Sequence, residues 1–111
     1  MTRRDIAVEF IERFCSADVS GLKELLAPDL KFRGPWFQFD SAQDYLESLS
    51  NDSFEKCQYR LISVTENDDQ VVTIYDYIKV DKKIIIAQLF QFDEHIKINE
   101  MLLVFDARAD S

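Results

Sequence analysis

Ser16-Ala17-Asp18-Val19-Ser20-Gly21-Leu22-Lys23-Glu24-Leu25-Leu26-Ala27-Pro28-Asp29-Leu30-Lys31-Phe32 is the stretch that most restricts the fold. Asp18 has the side chain to cap a short helix whose Leu22, Leu25 and Leu26 face inward. Pro28 is expected to end that helix, because the residue before a proline avoids the helical region. Leu30-Lys31-Phe32-Arg33 then alternates as a short strand does, and Gly34-Pro35 breaks it. The order is therefore short helix, stop, strand and turn.

Upstream, Ile6, Phe10 and Phe14 recur at the helical period with Ala7, Ile11 and Cys15 beside them. This predicts a first helix over Arg3 to Ser16. Ser41-Ala42-Gln43-Asp44 has the capping-box form and opens a third helix carrying Tyr45, Leu46 and Leu49. After Asn51-Asp52-Ser53 the chain turns β-rich, with strands expected at Tyr59 to Thr65, Val71 to Val80, Ile84 to Phe92 and Ile96 to Phe105. The short polar turns between them imply antiparallel neighbours. Helices first and a β meander after is an α+β pattern, and 111 residues make one domain, 1–111.

Period-two alternation sorts each strand into faces. Val71, Thr73, Tyr75 and Tyr77 oppose Val72, Ile74, Asp76 and Ile78; Ile84, Ile86, Gln88, Phe90 and Phe92 oppose Ile85, Ala87, Leu89 and Gln91. In the last strand Ile96, Ile98, Leu102 and Val104 are set against Met101, Leu103 and Phe105. Both faces are largely apolar, yet helices in so short a chain cover one. A homodimer through the outer sheet face is the expected remedy.

A net charge of −8 opposes binding to nucleic-acid phosphates or to anionic membrane surfaces. The two cysteines, Cys15 and Cys57, form no C-x-x-C motif and read as reduced thiols. No apolar signal region precedes the first helix, so a cytoplasmic location is expected. His95 is the one histidine and falls in a turn; a single His makes no multi-His site and no carboxylate cluster offers an octahedral set, so no metal site is expected. No nucleophile elbow or phosphate-cradling glycine loop is present, and no cofactor is expected.

Gln88 stands between Ile86 and Phe90 on an apolar face, so its amide either orients a ligand or bonds Tyr75 or backbone within the core. Tyr75 and Tyr77 supply apolar walls with polar tips. Trp36, Phe37 and Phe39 either form a pocket mouth or pack beneath the sheet. Asp76, flanked by Ile74 and Ile78, is a candidate acid or base if buried without a cation, and otherwise a rim charge paired with Lys or Arg across the dimer. Glu100 has similar standing.

The Ala17-Asp18-Val19-Ser20-Gly21-Leu22 phrase, the closing Ile96-Lys97-Ile98-Asn99-Glu100 and the element order resemble the nuclear-transport-factor-2-like superfamily, in its SnoaL-like and ketosteroid-isomerase-like branch. The resemblance implies a single SnoaL-like domain: a cone of three helices on a strongly curved antiparallel sheet. It does not carry one reaction, since this fold hosts many. Ketosteroid isomerases use an Asp base with a Tyr and a protonated Asp as oxyanion donors. Those positions fall here on Gly34, Phe10 and Gln88. The resemblance thus implies the pocket without the isomerase's groups. Tyr75, Tyr77, Gln88, Phe90, Phe10, Trp36 and Phe37 are its expected lining, and a small, mostly apolar molecule its expected ligand. Two alternatives stand beside this: an acid–base enzyme using Asp76 or Glu100, and a dimerisation domain whose aromatics fill the cone.

Overall fold

The first helix is fixed at its start by a reciprocal pair. In this computed structural model, which describes residues 1–51 and 55–106, α1 spans Arg3–Cys15. Thr2 Oγ1 accepts from the Asp5 N–H at 3.1 Å, and the Asp5 carboxylate accepts from the Thr2 N–H at 3.1 Å. Two otherwise orphaned donors are satisfied together. The stripe Ile6, Ala7, Phe10, Ile11 and Cys15 is buried, as its spacing requires. Ala17 turns the chain with a left-handed φ of 57°, and Asp18 caps α2 (Val19–Lys23) by accepting from the Gly21 N–H at 2.9 Å. A Cβ at Gly21 would collide with that carboxylate, so the glycine belongs to the cap.

Pro28 does not end a helix. Helix α2 stops at Lys23, and β1 runs Leu26–Arg33 with Pro28 inside it. The proline is tolerated because the ladder from β1 to its neighbour is interrupted between Leu26 and Lys31, where a missing N–H costs no bond. Gly34 to Phe37 make a turn closed by the Gly34 N–H donating to the Phe37 carbonyl at 2.9 Å. The chain returns as β2 (Gln38–Phe39), pairing Phe32 with Phe39 and Arg33 with Gln38. Ser41 Oγ accepts from the Asp44 N–H at 3.1 Å and starts α3 (Ala42–Asn51). Asp52 and Ser53, part of the expected change of character, lie outside the described residues.

The meander follows as β3 (Gln58–Asn67), β4 (Gln70–Lys79), β5 (Lys82–Phe92) and β6 (Ile98–Val104). The six strands form one open sheet in the order β2-β1-β6-β5-β4-β3. An all-antiparallel sheet is not what forms, because β1 lies parallel to β6. Most of the chain separates these two strands, and so long a connection leaves their direction to core packing rather than to a turn.

Helices α1 and α3 cover one sheet face. Against it are buried Val71, Thr73 and Tyr75 of β4, and Ile84, Ile86, Gln88, Phe90 and Phe92 of β5. The expected faces of β6 need correction. Phe92 pairs with Ile98 but Gln91 with Glu100, so Asn99 is an extra residue in a bulge. Beyond it the alternation is shifted: Ile98 and Met101 are buried, while Leu102 and Val104 are exposed on the outer face. Among the described residues, no helix is long and apolar enough to cross a membrane.

Candidate functional site

Strands β4 and β5 pair Tyr77 with Ile84 and Tyr75 with Ile86, and Thr73 opposite Gln88. All point to the helix side, because strand residues two apart share a face. Above this floor lie Phe10 and Phe14 from α1, and Tyr45 and Leu49 from α3. Phe32 and Phe39 close one side, Leu103 and Phe105 another, and the Gly34 to Phe37 turn stands at the rim. These groups enclose a cavity of about 250 Å3.

The walls are built from interlocked rings. Phe32 stacks on Tyr45 at a centroid distance of 4.9 Å, and Phe39 meets Tyr45 edge-on at 5.9 Å. Trp36 stands edge-on to Phe105 at 5.3 Å. Trp36 and Phe37 are more than half exposed, and Pro35 and Lys79 are exposed too, so the cavity opens among them. The Lys79 ammonium lies 5.7 Å from the centre of the Tyr77 ring. Gly34 is part of this wall: a Cβ there would stand 3.2 Å from Phe32 Cε1, and Phe32 is held by Tyr45.

The buried end is polar. Gln88 is 3% exposed. Its Oε1 accepts from the Tyr75 hydroxyl at 2.7 Å, and its Nε2 donates to Met101 Sδ at 3.4 Å. The Thr73 hydroxyl donates to the Gln88 carbonyl at 3.3 Å. Burial, with Cys15 and Tyr45 nearby, raises the Tyr75 pKa well above that of a free phenol. Burial alone raises that of Tyr45. Both phenols therefore stay protonated at neutral pH. Burial, then the hydrogen bond and charge of Cys57, also raises the Cys15 thiol, which is a poor nucleophile in that state.

Of the expected lining, Phe10, Trp36, Phe37, Tyr75, Tyr77 and Gln88 border the cavity. Phe90 does not; it is fully buried behind Phe10, edge-on at 5.5 Å. The two candidate carboxylates are elsewhere. Asp76 faces away from the cavity, buried on the outer side of β4, with Arg60 Nε at 3.1 Å and Lys83 Nζ at 3.9 Å from its Oδ2. Glu100 shares the outer face with Leu102 and Val104 and does not border the cavity. Sequence reasoning missed Phe14, Phe32, Gly34, Pro35, Tyr45, Leu49, Lys79, Ile84, Ile86, Leu103 and Phe105 as lining. The signal for Phe32 was its alternation with Gly34; for Leu103 and Phe105 it was their shared face.

Among the described residues, no three His, Cys, Asp or Glu side chains gather where they would hold a metal ion. The described lining also holds no carboxylate, no imidazole and no thiol. Its chemistry is hydrogen bonding at the blind end, aromatic and aliphatic contact along the walls, and one ammonium, that of Lys79, at the mouth.

No family model and no curated protein matches the sequence. Solved structures match over nearly the whole chain. An NTF2-like protein of unknown function from Cytophaga hutchinsonii is 24% identical, with a TM-score of 0.83, over 97% of this chain and 93% of that one. A putative ketosteroid isomerase from Kribbella flavida is 11% identical, with a TM-score of 0.82, over 94% and 77%. An LEH-like epoxide hydrolase from M. tuberculosis is 13% identical, with a TM-score of 0.79, over 96% and 84%. The chain has the nuclear-transport-factor-2-like fold.

Proposed function

We propose that this chain is a small-molecule binding protein. Its cavity is the inside of a cone, blind at Gln88 and open at Trp36, and it holds a small, mostly apolar ligand with one oxygen acceptor. The observation that carries this reading is the buried Tyr75–Gln88 pair at the end of an otherwise aromatic cavity. Tyr75 occupies the amide oxygen, so what Gln88 offers is its N–H groups. One lies against a thioether, a weak acceptor. A ligand carbonyl or hydroxyl oxygen is the stronger partner.

The volume sets the ligand's scale. An apolar cavity of about 150 Å3 holds benzene, and drug-sized ligands need about 300 Å3 or more. At about 250 Å3 the cavity suits one ring with a short substituent. The names borne by two similar structures, a putative ketosteroid isomerase and an epoxide hydrolase, are also those of proteins acting on small organic molecules. Binding is favoured over acid–base turnover, because Asp76 and Glu100 are on the other sheet face. A purely structural domain with a filled cone fits poorly with the space that remains.

Titrating the emission of Trp36, the only tryptophan, with acetophenone tests this. A saturable change is expected, with binding weakened about ten-fold in Gln88→Leu, as the loss of one buried hydrogen bond implies. An unsaturable response in the folded protein contradicts the reading.

We also infer a homodimer through the outer sheet face. Across it Val104, Ala87 and Ile74 lie in one row, and Leu102, Leu89 and Val72 in the next, with exposed Ile85 beyond. A continuous apolar face of this kind is rarely left to water. Sedimentation should give a dimer for the wild type and a monomer for Ile85→Glu; a monomeric wild type at micromolar concentration rejects the inference. Two free thiols suit a reducing compartment, and we place the protein in the cytoplasm.

A further inference from the structure

We propose that the ligand is a monocarboxylate, with its carboxylate held by Lys79 at the cavity mouth and its far end at Gln88. The inference rests on the cavity being a ligand site. Lys79 is the only charged side chain among the described lining residues. Lys79 stands opposite Lys82 on the β4–β5 ladder, so this end of the hairpin is basic in a chain with 21 acidic and 13 basic residues. Among the described residues no carboxylate pairs with its ammonium. Lys83, by contrast, is engaged by Asp76 on the opposite face.

Lys79 is also held in place. Its ammonium lies 5.7 Å from the Tyr77 ring centre, within the range of a cation–π contact. That contact keeps the head group beside the Tyr77 ring. The charge therefore stands near the level of Tyr77, not at the tip of the β4–β5 hairpin.

The polarity pattern runs along the strands. From Tyr77 to Thr73, the residue opposite Gln88, is four positions on β4, or about 13 Å of strand. The side chains of Tyr75 and Gln88 reach into that gap and shorten it. Between the two polar ends stand only Tyr75, Tyr77, Ile84, Ile86 and the aromatic roof. Taking the volume a water occupies, about 30 Å3, for each non-hydrogen atom, the cavity holds roughly eight or more such atoms. The ligand class is thus a short aryl- or alkyl-chain acid with a carbonyl or hydroxyl at its far end.

A carboxylate fits better than a phosphate. Lysine is a single point charge, whereas the described lining has no arginine fork and no second cation to match a dianion. An amine ligand would place like charges together at the mouth.

The test uses 3-phenylpropionate, 3-phenylpropanamide and 3-phenylpropylamine, read by Trp36 emission, with wild type, Lys79→Gln and Lys79→Glu. Lys79 is exposed, and circular dichroism confirms folding of the variants. The acid is expected to bind about five-fold tighter than the amide, the amine weakest. Lys79→Gln should abolish that preference and Lys79→Glu should reverse it. Equal binding of acid and amide to wild type, or an acid preference that survives Lys79→Gln, overturns the carboxylate assignment and leaves the cavity reading standing. Tightest binding of the amine overturns it likewise. If none of the three shifts Trp36 emission, both readings fall.

Discussion

Tyr75 donates its phenolic proton to Gln88 Oε1 across 2.7 Å, inside the core and at the blind end of the cavity. Both groups are buried, and each satisfies the other. Removing one strands its partner, at about 1–3 kcal/mol. Gln88→Leu and Tyr75→Phe should each destabilise the fold by about that amount in urea unfolding. The double variant should cost less than the sum of the two, because no partner is left behind. Strict additivity would show that the pair contributes nothing as a pair.

Asp76 is buried between Arg60 and Lys83 on the face away from the cavity. Both cations are largely exposed and rehydrate when the carboxylate is lost, so Asp76→Asn should cost only about 1 kcal/mol. Acetophenone binding should change less than about two-fold, as expected for a site on the other face. A large loss of binding at unchanged stability would return Asp76 to the functional site.

Three phenols have raised pKa values: Tyr75 and Tyr45 through burial, and Tyr59, pushed up to about 12 by burial and by Glu12. A raised folded-state pKa contributes stability that is complete below the unfolded value, about 10. That stability is lost as pH rises through the folded value. Phenols should therefore leave stability flat through neutral pH and erode it from about pH 10 upward. Absorbance at the tyrosinate band should rise together with loss of the circular-dichroism signal. Full ionisation of all four tyrosines in a chain that stays folded would contradict the burial described.

Ile96 has a φ of 60° in the turn between β5 and β6, where Asp93 Oδ1 accepts from the N–H groups of His95 and Lys97. A β-branched residue is strained there, by about 1–2 kcal/mol. Asparagine tolerates the conformation, and the side chain is partly exposed. Ile96→Asn should raise the unfolding free energy by about 1 kcal/mol. A fall of that size instead would mean that Ile96 packing outweighs its backbone.

What was legible in the sequence was local. Alternation placed Tyr75, Tyr77 and Gln88 on one face and Asp76 on the other, since side-chain period follows from strand geometry alone. Capping residues located the starts of α2 and α3 for the same reason. What was hidden depended on distant partners. The parallel pairing of β1 with β6 joins opposite ends of the chain. The bulge at Asn99 exists only relative to β5, and it moved Ile98 to the face opposite Leu102. Pro28 read as a helix stop because its tolerance inside β1 depends on that same remote ladder. Phe90 and Gln88 share a face, but only the packing of Phe10 decides which of them reaches the cavity.

We propose that the cavity receives a small ligand through the Gln88 amide. A crystal structure of the protein soaked with acetophenone tests it most directly. Density is expected for one ring among Phe10, Tyr45 and Tyr77, with the ketone oxygen within about 3.2 Å of Gln88 Nε2. A cavity without the ring, or a ring bound only on the outer sheet face, would contradict it.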